Sequence, residues 1–243
     1  MKRFLCILAT IVICLALVPH AVAQDAPETF FQKVETGQPA TALFYGGSIT
    51  MGAKASNYGK TSWPALTGQW LKENWPAARI TVINKSIGGS GSVHGVMRMD
   101  RDLLPHKPDL VFIEFAVNDV GSVRFAGKEI TQGCLEILVR KLKQANPGVT
   151  VFLVITAYKD TKRVNQRALH EEVAKHYDLP LIDLQTRYNT GAENGEIDPD
   201  TFMGDYVHPA DAGHRGYADW VIEALKAHDK TDTPRPDKLP KPM

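Results

Sequence analysis

With 243 residues, 44% of them hydrophobic and 23% charged, the chain has the make-up of an ordinary globular protein with one well-buried core. Its 28 Lys and Arg against 27 Asp and Glu give a formal net charge of +1, which excludes the basic surplus of a nucleic-acid binder or of a protein steered to an anionic membrane.

Residues 1–23 read as a secretory signal: Lys2 and Arg3, an apolar stretch over 4–18, then Ala21-Val22-Ala23 as an A-x-A cleavage site. The apolar stretch is short for a membrane span, and no later stretch is apolar enough to be one. Ile13, bulky, stands before Cys14 where a lipidated cysteine wants a small residue. The expectation is a soluble exported protein, periplasmic or extracellular, with no stable membrane insertion once the signal is cut. Loss of Lys2 and Arg3 takes the 28 basic residues to 26 against 27 acidic ones, a formal charge of −1. Cys6 and Cys14 leave as well, so Cys134 is the one cysteine remaining and no internal disulfide can form. Beside Leu135 and Leu138 at a helical spacing, it reads as a buried inert thiol.

A polar lead-in over 24–39 precedes the first strand, 41–45, which ends in Gly46-Gly47-Ser48-Ile49-Thr50. Thr61 or Ser62 caps a helix through Trp63, Leu66, Trp70 and Leu71, spaced three and four apart. A second strand at 79–84 runs into the glycine-rich loop 86–92. A short helix over 94–104 leads to the most apolar strand, 110–117, which ends in Asn118-Asp119. The spacing then predicts a long helix over 128–145 with Ile130, Cys134, Ile137, Leu138 and Leu142 on one face. Next come a strand at 150–157, a helix at 164–177 and a strand at 179–184. A polar irregular segment, 188–204, precedes Asp205-Tyr206-Val207-His208-Pro209, and a last helix, 210–228, buries Tyr217, Trp220, Val221, Ala224 and Leu225. Residues 229–243, rich in Pro, Lys and Asp, are expected to be a disordered tail. Five strands alternating with helices imply right-handed crossovers and a parallel sheet covered on both faces, in a single domain over 24–228.

That topology carries the polar clusters to one edge of the sheet, where ligands gather in open α/β folds. Ser48 follows the first strand, Gly88 to Ser92 the second, Asn118-Asp119 the third, and Asp205 to His208 the entry to the last helix. Together they contain the parts of an acyl-transfer site. A serine hydroxyl needs a base to take its proton, and His208 is the candidate. Asp205, three residues before it, can share one side of a turn and hold the imidazole tautomer. The N–H groups of Ser48 and Gly89 and the side-chain amide of Asn118 would hold the oxyanion. Taken singly, each cluster also fits a turn, a cap or an anion-binding loop. No Gly-Lys-Ser/Thr follows the glycine loop, no G-x-G-x-x-G is present, and no G-x-S-x-G elbow surrounds Ser48, Ser90 or Ser92. Glu114 inside an apolar strand is read as a structural ion pair or a site residue, with the structural role favoured. His94 and Arg98 could reach substrate or lie on a solvated helix face. His106, His170, His176, His214 and His228 make no metal-ligand spacing, so no metal is invoked.

At these places the sequence resembles the SGNH hydrolases, the GDSL-type esterase/lipase superfamily. Gly46-Gly47-Ser48-Ile49-Thr50 is similar to its first block, with the nucleophilic serine. Asn84 through Gly89 is similar to the second, whose glycine N–H serves the oxyanion; that role is placed on Gly89, with Gly88 as the alternative. Ala116-Val117-Asn118-Asp119 is similar to the third, with the oxyanion asparagine, and Asp205-Tyr206-Val207-His208-Pro209 to the last, with catalytic acid and base. Gly47 stands where the family has aspartate, and Ala116 where it has glycine. The resemblance implies a flavodoxin-like three-layer α/β/α sandwich on a five-stranded parallel sheet, no metal or organic cofactor, and ester hydrolysis through an acyl-enzyme. With export, a short open nucleophile loop, no long apolar lid, and Tyr58, Trp63 and Tyr206 near the site to stack on sugars, it points to removal of acetyl from carbohydrate. The alternatives are a lipid or thioester hydrolase and a non-catalytic glycan-binding module.

Overall fold

In the computed structural model, which describes residues 27–229 and 239–243, β1 (Ala40–Gly46) is a buried strand paired on both sides. The signal expected over 1–23 lies outside the described residues. β2 (Ile80–Asn84), β3 (Leu110–Glu114), β4 (Thr150–Ile155) and β5 (Leu181–Asp183) complete a parallel sheet in the order β2-β1-β3-β4-β5. This is the flavodoxin-like order, and the chain switches sides of the sheet at β1. The strands are apolar on both faces, as strands covered on both sides must be. Leu43, Tyr45, Val111, Ile113, Val151 and Leu153 face one core, and Ala42, Phe44, Phe112, Phe152 and Val154 the other. In-register pairing places Phe44, Phe112 and Phe152 side by side, their rings stacked 4.7 and 5.6 Å apart.

The helices, in chain order, are α1 (Phe30–Glu35), α2 (Ser48–Met51), α3 (Trp63–Asn74), α4 (Ser92–Asp102), α5 (Asp119–Ala126), α6 (Lys128–Ala145), α7 (Arg167–His176), α8 (Leu184–Glu193), α9 (Pro199–Phe202) and α10 (Asp211–Asp229). α1, α3 and α10 cover the phenylalanine face, and α4, α6 and α7 the opposite one. The three-layer α/β/α sandwich is therefore present as expected.

Several local expectations change. The lead-in is not polar throughout: a capping box between Thr29 and Gln32 starts α1, which buries Phe30, Phe31 and Val34. α5 and α8 also stand where no helix was expected. The apolar face of α6 is rotated from the predicted one. Leu135, Leu138, Val139 and Leu142 are buried with Thr131 and Glu136, whereas Ile130 and Ile137 are 58% and 41% exposed. Cys134 is half-buried rather than buried, and burial raises its thiol pKa. On α10, Trp220 and Ala224 are also only half-buried. At the far end Asp229 closes α10, and residues 239–243 lie against the sandwich, with Arg140 donating to the Pro240 carbonyl at 2.7 Å and the Met243 N–H to Glu136 at 2.8 Å.

Glu114, the last residue of β3, is completely buried. Among the described residues no cation pairs with it. Its carboxylate accepts from the Thr50 hydroxyl at 2.8 Å and the Thr156 hydroxyl at 3.1 Å, tying α2 to the ends of β3 and β4. Burial pushes its pKa from 4.5 to about 7, against the lowering effect of those hydrogen bonds. The folded state thus holds this proton more tightly than the unfolded chain. Its contribution to stability is fully present below pH 4.5 and is lost as pH rises to about 7. Glu114→Gln should remove that dependence. In urea unfolding, the stability of wild type relative to the variant should fall by roughly 3 kcal/mol between these limits; a parallel pair of pH profiles would contradict the assignment.

Candidate active site

Ser48 is the first residue of α2, a single turn that begins directly off β1. Gly46 allows the tight departure: a Cβ there would stand 2.6 Å from the Thr50 hydroxyl and 2.8 Å from the Glu114 carbonyl. The turn closes through Met51 N–H to Gly47 O at 2.9 Å, and Gly52 leaves it with φ +105°, where glycine is favoured. Three polar groups pin this turn besides Glu114. Asn84 donates to Thr50 O at 2.7 Å, Ile87 N–H to Gly46 O at 3.1 Å, and Arg98 to Gly46 O at 3.4 Å and Lys85 O at 2.6 Å. Arg98 is thus neither solvent-facing nor a substrate contact; it is buried with its guanidinium 4.0 Å from the Tyr45 ring. His94 is exposed, bonds Ser90 Oγ at 3.0 Å and does not line the cleft described below.

His208 Nε2 lies 2.7 Å from Ser48 Oγ, and its Nδ1 lies 2.8 Å from Asp205 Oδ2. A carboxylate can only accept, so Nδ1 carries the proton and Nε2 turns its lone pair toward the serine hydroxyl. The turn that holds this pair is itself tied down. The N–H groups of Val207 and His208 donate to Asp205 Oδ1 at 2.9 and 2.8 Å, Gly204 N–H to His208 O at 2.8 Å, and Lys159 N–H to Tyr206 O at 2.9 Å. Partial burial raises the Asp205 pKa, but these donors and the imidazole outweigh it and bring it down to about 2. The carboxylate therefore stays charged across the physiological range, as an imidazole-orienting group requires. His214 anchors α10 to the same region: Nδ1 accepts from Trp63 N–H at 3.3 Å and Nε2 donates to Ala53 O at 3.1 Å.

Gly89 and Asn118 reach the same place from the other side. Gly89 adopts φ +75° in a turn closed by Ser90 N–H to Ile87 O, and Asn118 donates to Ser90 O at 3.0 Å. Among the described residues neither Ser48 N–H nor Gly89 N–H donates to another protein group, which leaves both free for an oxyanion. Beneath them lies a network that sequence reading missed. Asp119, fully buried, accepts from Ser92 N–H and Ser92 Oγ at 2.6 Å each and bonds His170 Nε2 at 2.9 Å. It joins the glycine loop, the Asn118 turn and α7 in one buried cluster. His170 stands 51 residues from Asp119, so no local spacing signals the pair.

Ser48, Gly89, Asn118 and His208 open onto a cleft of about 440 Å³, also lined by Val117, Val120, Gly121, Arg124, Tyr158, Arg163, Tyr206 and Val207. Gly88 is not part of its wall. Of the three aromatics expected near the site, only Tyr206 lines it. Trp63 is fully buried against Phe44, and Tyr58, though half exposed, lies outside the cleft. Among the described residues no group of three His, Cys, Asp or Glu is gathered as metal ligands. The arrangement suits proton transfer from a serine hydroxyl to an imidazole while a carbonyl oxygen meets N–H donors.

The GDSL-like Lipase/Acylhydrolase family matches residues 44–215, from the strand before Ser48 through the His208 turn. The chain belongs to that family. Lipases and acylhydrolases cleave acyl esters, which places the chain among the carboxylic ester hydrolases. Thioesterase 1/protease 1/lysophospholipase L1 of Escherichia coli (strain K12) is 27% identical over 188 residues, covering 76% of this chain and 83% of the relative. Acetylxylan esterase of Geobacillus stearothermophilus is 25% identical over 202 residues, covering 74% and 91%. A solved two-domain esterase active on acetylated mannans superposes with a TM-score of 0.77 at 30% identity. That match covers 90% of this chain and 58% of the two-domain protein, so the chain spans little more than half of that relative.

The departure at Gly47 has a physical consequence in this acylhydrolase. A Cβ at Gly47 would fall 2.1 Å from Asn118 Nδ2, so the amide occupies the room that a side chain here would need. Gly47→Ala should drive Asn118 from its place and cost roughly 100-fold in kcat with little change in KM, the effect of losing one oxyanion donor. Steady-state kinetics on an activated ester, beside a melting curve to confirm folding, checks this; an unchanged kcat would mean that Asn118 does not act from this position.

Proposed function

We propose that the chain is an exported serine esterase that removes small acyl groups, acetyl foremost, from carbohydrate. The observation that carries the reading is the continuous Ser48–His208–Asp205 hydrogen-bond chain opening onto a cleft rather than into the core. Ser48 Oγ attacks the ester carbonyl as His208 Nε2 takes its proton, and the N–H groups of Ser48 and Gly89 with the Asn118 amide hold the tetrahedral oxyanion. His208 then returns the proton to the departing sugar hydroxyl, leaving an acyl-enzyme. Water repeats the sequence, losing its proton to His208 and releasing the carboxylic acid and free Ser48. Asp205 orients the imidazole and offsets its positive charge throughout.

Support for a carbohydrate ester comes from the open cleft with its polar and aromatic wall, Tyr158, Tyr206 and Arg163, and from similarity to acetylxylan esterases and an esterase active on acetylated mannans. Export rests on the basic and apolar leader with its Ala21-Val22-Ala23 site. A second reading, a lipid or thioester hydrolase, draws on the similarity to the E. coli thioesterase/lysophospholipase and on exposed Phe125 and Val164, which neighbour Arg124 and Arg163 of the cleft wall.

A series of 4-nitrophenyl esters separates the two. For the acetylesterase, kcat/KM should be highest at acetyl and fall by roughly tenfold or more by octanoyl, since extra methylenes find no acyl channel. Rising activity with chain length would favour the lipid reading. Release of acetate from acetylated xylan or mannan should accompany the first outcome.

A further inference from the structure

The wall of the cleft contains two arginines and no acidic residue. Arg124 lies on α5 and Arg163 on the segment between β4 and α7, and both are exposed at the cleft. Five other arginines lie against carboxylates: Arg98 and Arg101 with Asp102, Arg167 with Glu171 and Asp183, Arg187 with Glu223, and Arg215 with Asp219, whereas Arg140 donates to the Tyr177 hydroxyl and the Pro240 carbonyl. Among the described residues, neither Arg124 nor Arg163 meets a carboxylate. The nearest acid in sequence to Arg163, Asp160, spends an oxygen on Lys162 N–H at 3.0 Å and makes no ion pair. The other carboxylate of the site, Asp205, is engaged by Val207, His208 N–H and the imidazole. Lys159 is paired with Asp200.

Arg163 is also held in place. Its guanidinium carbon stands 4.2 Å from the Tyr158 ring centroid and 5.5 Å from that of Tyr206. Tyr158 is itself buried and donates to Val117 O at 3.3 Å, one residue before Asn118. Ring contacts engage the flat faces of a guanidinium, and Arg163 also hydrogen-bonds the Tyr158 hydroxyl; among the described residues its N–H groups meet no carboxylate, the partner such a fork binds in two-point fashion. A cation without a carboxylate partner in the same cleft as Ser48 raises the local concentration of anionic substrates and lowers that of cationic ones.

We infer that this cleft selects esters whose substrate carries a carboxylate, with Arg163 as the fixed recognition group and Arg124 as the second cation across the wall. An acetyl group has no charge to offer. The carboxylate therefore belongs either to the sugar, as in an O-acetylated uronic acid, or to the acyl group, as in a succinyl ester. The inference rests on the esterase reading and names the substrate class of the same site.

The test compares kcat/KM of the purified full chain on three esters of one sugar framework: O-acetyl methyl glucuronoside, O-acetyl methyl glucoside, and O-succinyl methyl glucoside. Turnover of 4-nitrophenyl acetate reports the esterase itself. A preference of roughly tenfold to a hundredfold for either anionic ester over the neutral one is expected, from one or two charge-assisted contacts. Which anionic ester wins tells whether the carboxylate sits on the sugar or on the acyl group. In Arg163→Gln the ratio of anionic to neutral turnover should collapse toward one, with a smaller loss in Arg124→Gln, while Arg215→Gln on α10 keeps the ratio. Added salt should erode the preference. Equal turnover of all three esters, or equal losses on neutral and anionic esters in Arg163→Gln, would overturn the inference while leaving the esterase reading intact. No hydrolysis of 4-nitrophenyl acetate would instead sink the esterase reading.

Discussion

Parallel pairing of β1 with β2 on one side and β3 on the other is the constraint from which the site follows. The registers Phe44↔Asn84 and Gly46↔Glu114 fix where three strands end, and each end releases a loop at the same edge of the sheet. In a parallel sheet the crossovers return over the faces, so that edge is left to loops rather than to covering helices. Ser48, Gly89 and Asn118 come from three of these loops. The stacked rings of Phe44, Phe112 and Phe152 lie across β1, β3 and β4, so a register slip between β1 and β3 would turn a phenylalanine out of its core and pull the loops apart together.

Precision at that edge is supplied by buried polar groups. Glu114 clamps α2 to two strand ends, Asp119 gathers Ser92 and His170, and Arg98 bonds two main-chain carbonyls under the Ser48 turn. Each is expensive to bury, and the hydrogen bonds named offset that cost, although Arg98 Nε and His170 Nδ1 are buried without a partner among the described residues. The raised pKa of Glu114 and the lowered pKa of Asp205 show the two outcomes of that balance within one site. Glu114 has two hydroxyl donors and complete burial; Asp205 has main-chain N–H donors, an imidazole and partial solvent.

Much of this is legible in the sequence because it is local or strongly periodic. Apolar strands bounded by glycine, the long α6, and Asp205 three residues before His208 each announce themselves over a short window. Other features depend on what packs where. The helices α1, α5 and α8 are short or polar, and tertiary contacts decide them more than propensity does. The face of α6 was misread because Thr131 and Glu136 turn inward while Ile130 and Ile137 turn out, a choice that periodicity of apolar residues cannot register. Trp63 sits near the candidate nucleophile in sequence yet fills the core beside Phe44, while Tyr158 and Arg163 arrive at the cleft from more than a hundred residues beyond Ser48. The His170–Asp119 contact has the same character, since only the packing of α7 on the sheet creates it.

The proposed chemistry requires Ser48 to be the residue that His208 activates. Exposure to a fluorophosphonate, which phosphonylates an activated serine as its oxygen displaces fluoride from phosphorus, followed by peptide mass mapping, tests this directly. A single adduct on the peptide containing Ser48, absent in Ser48→Ala and formed at least roughly 100-fold more slowly in His208→Gln, is the predicted result. An adduct on another residue, or labelling at the wild-type rate in His208→Gln, would contradict it.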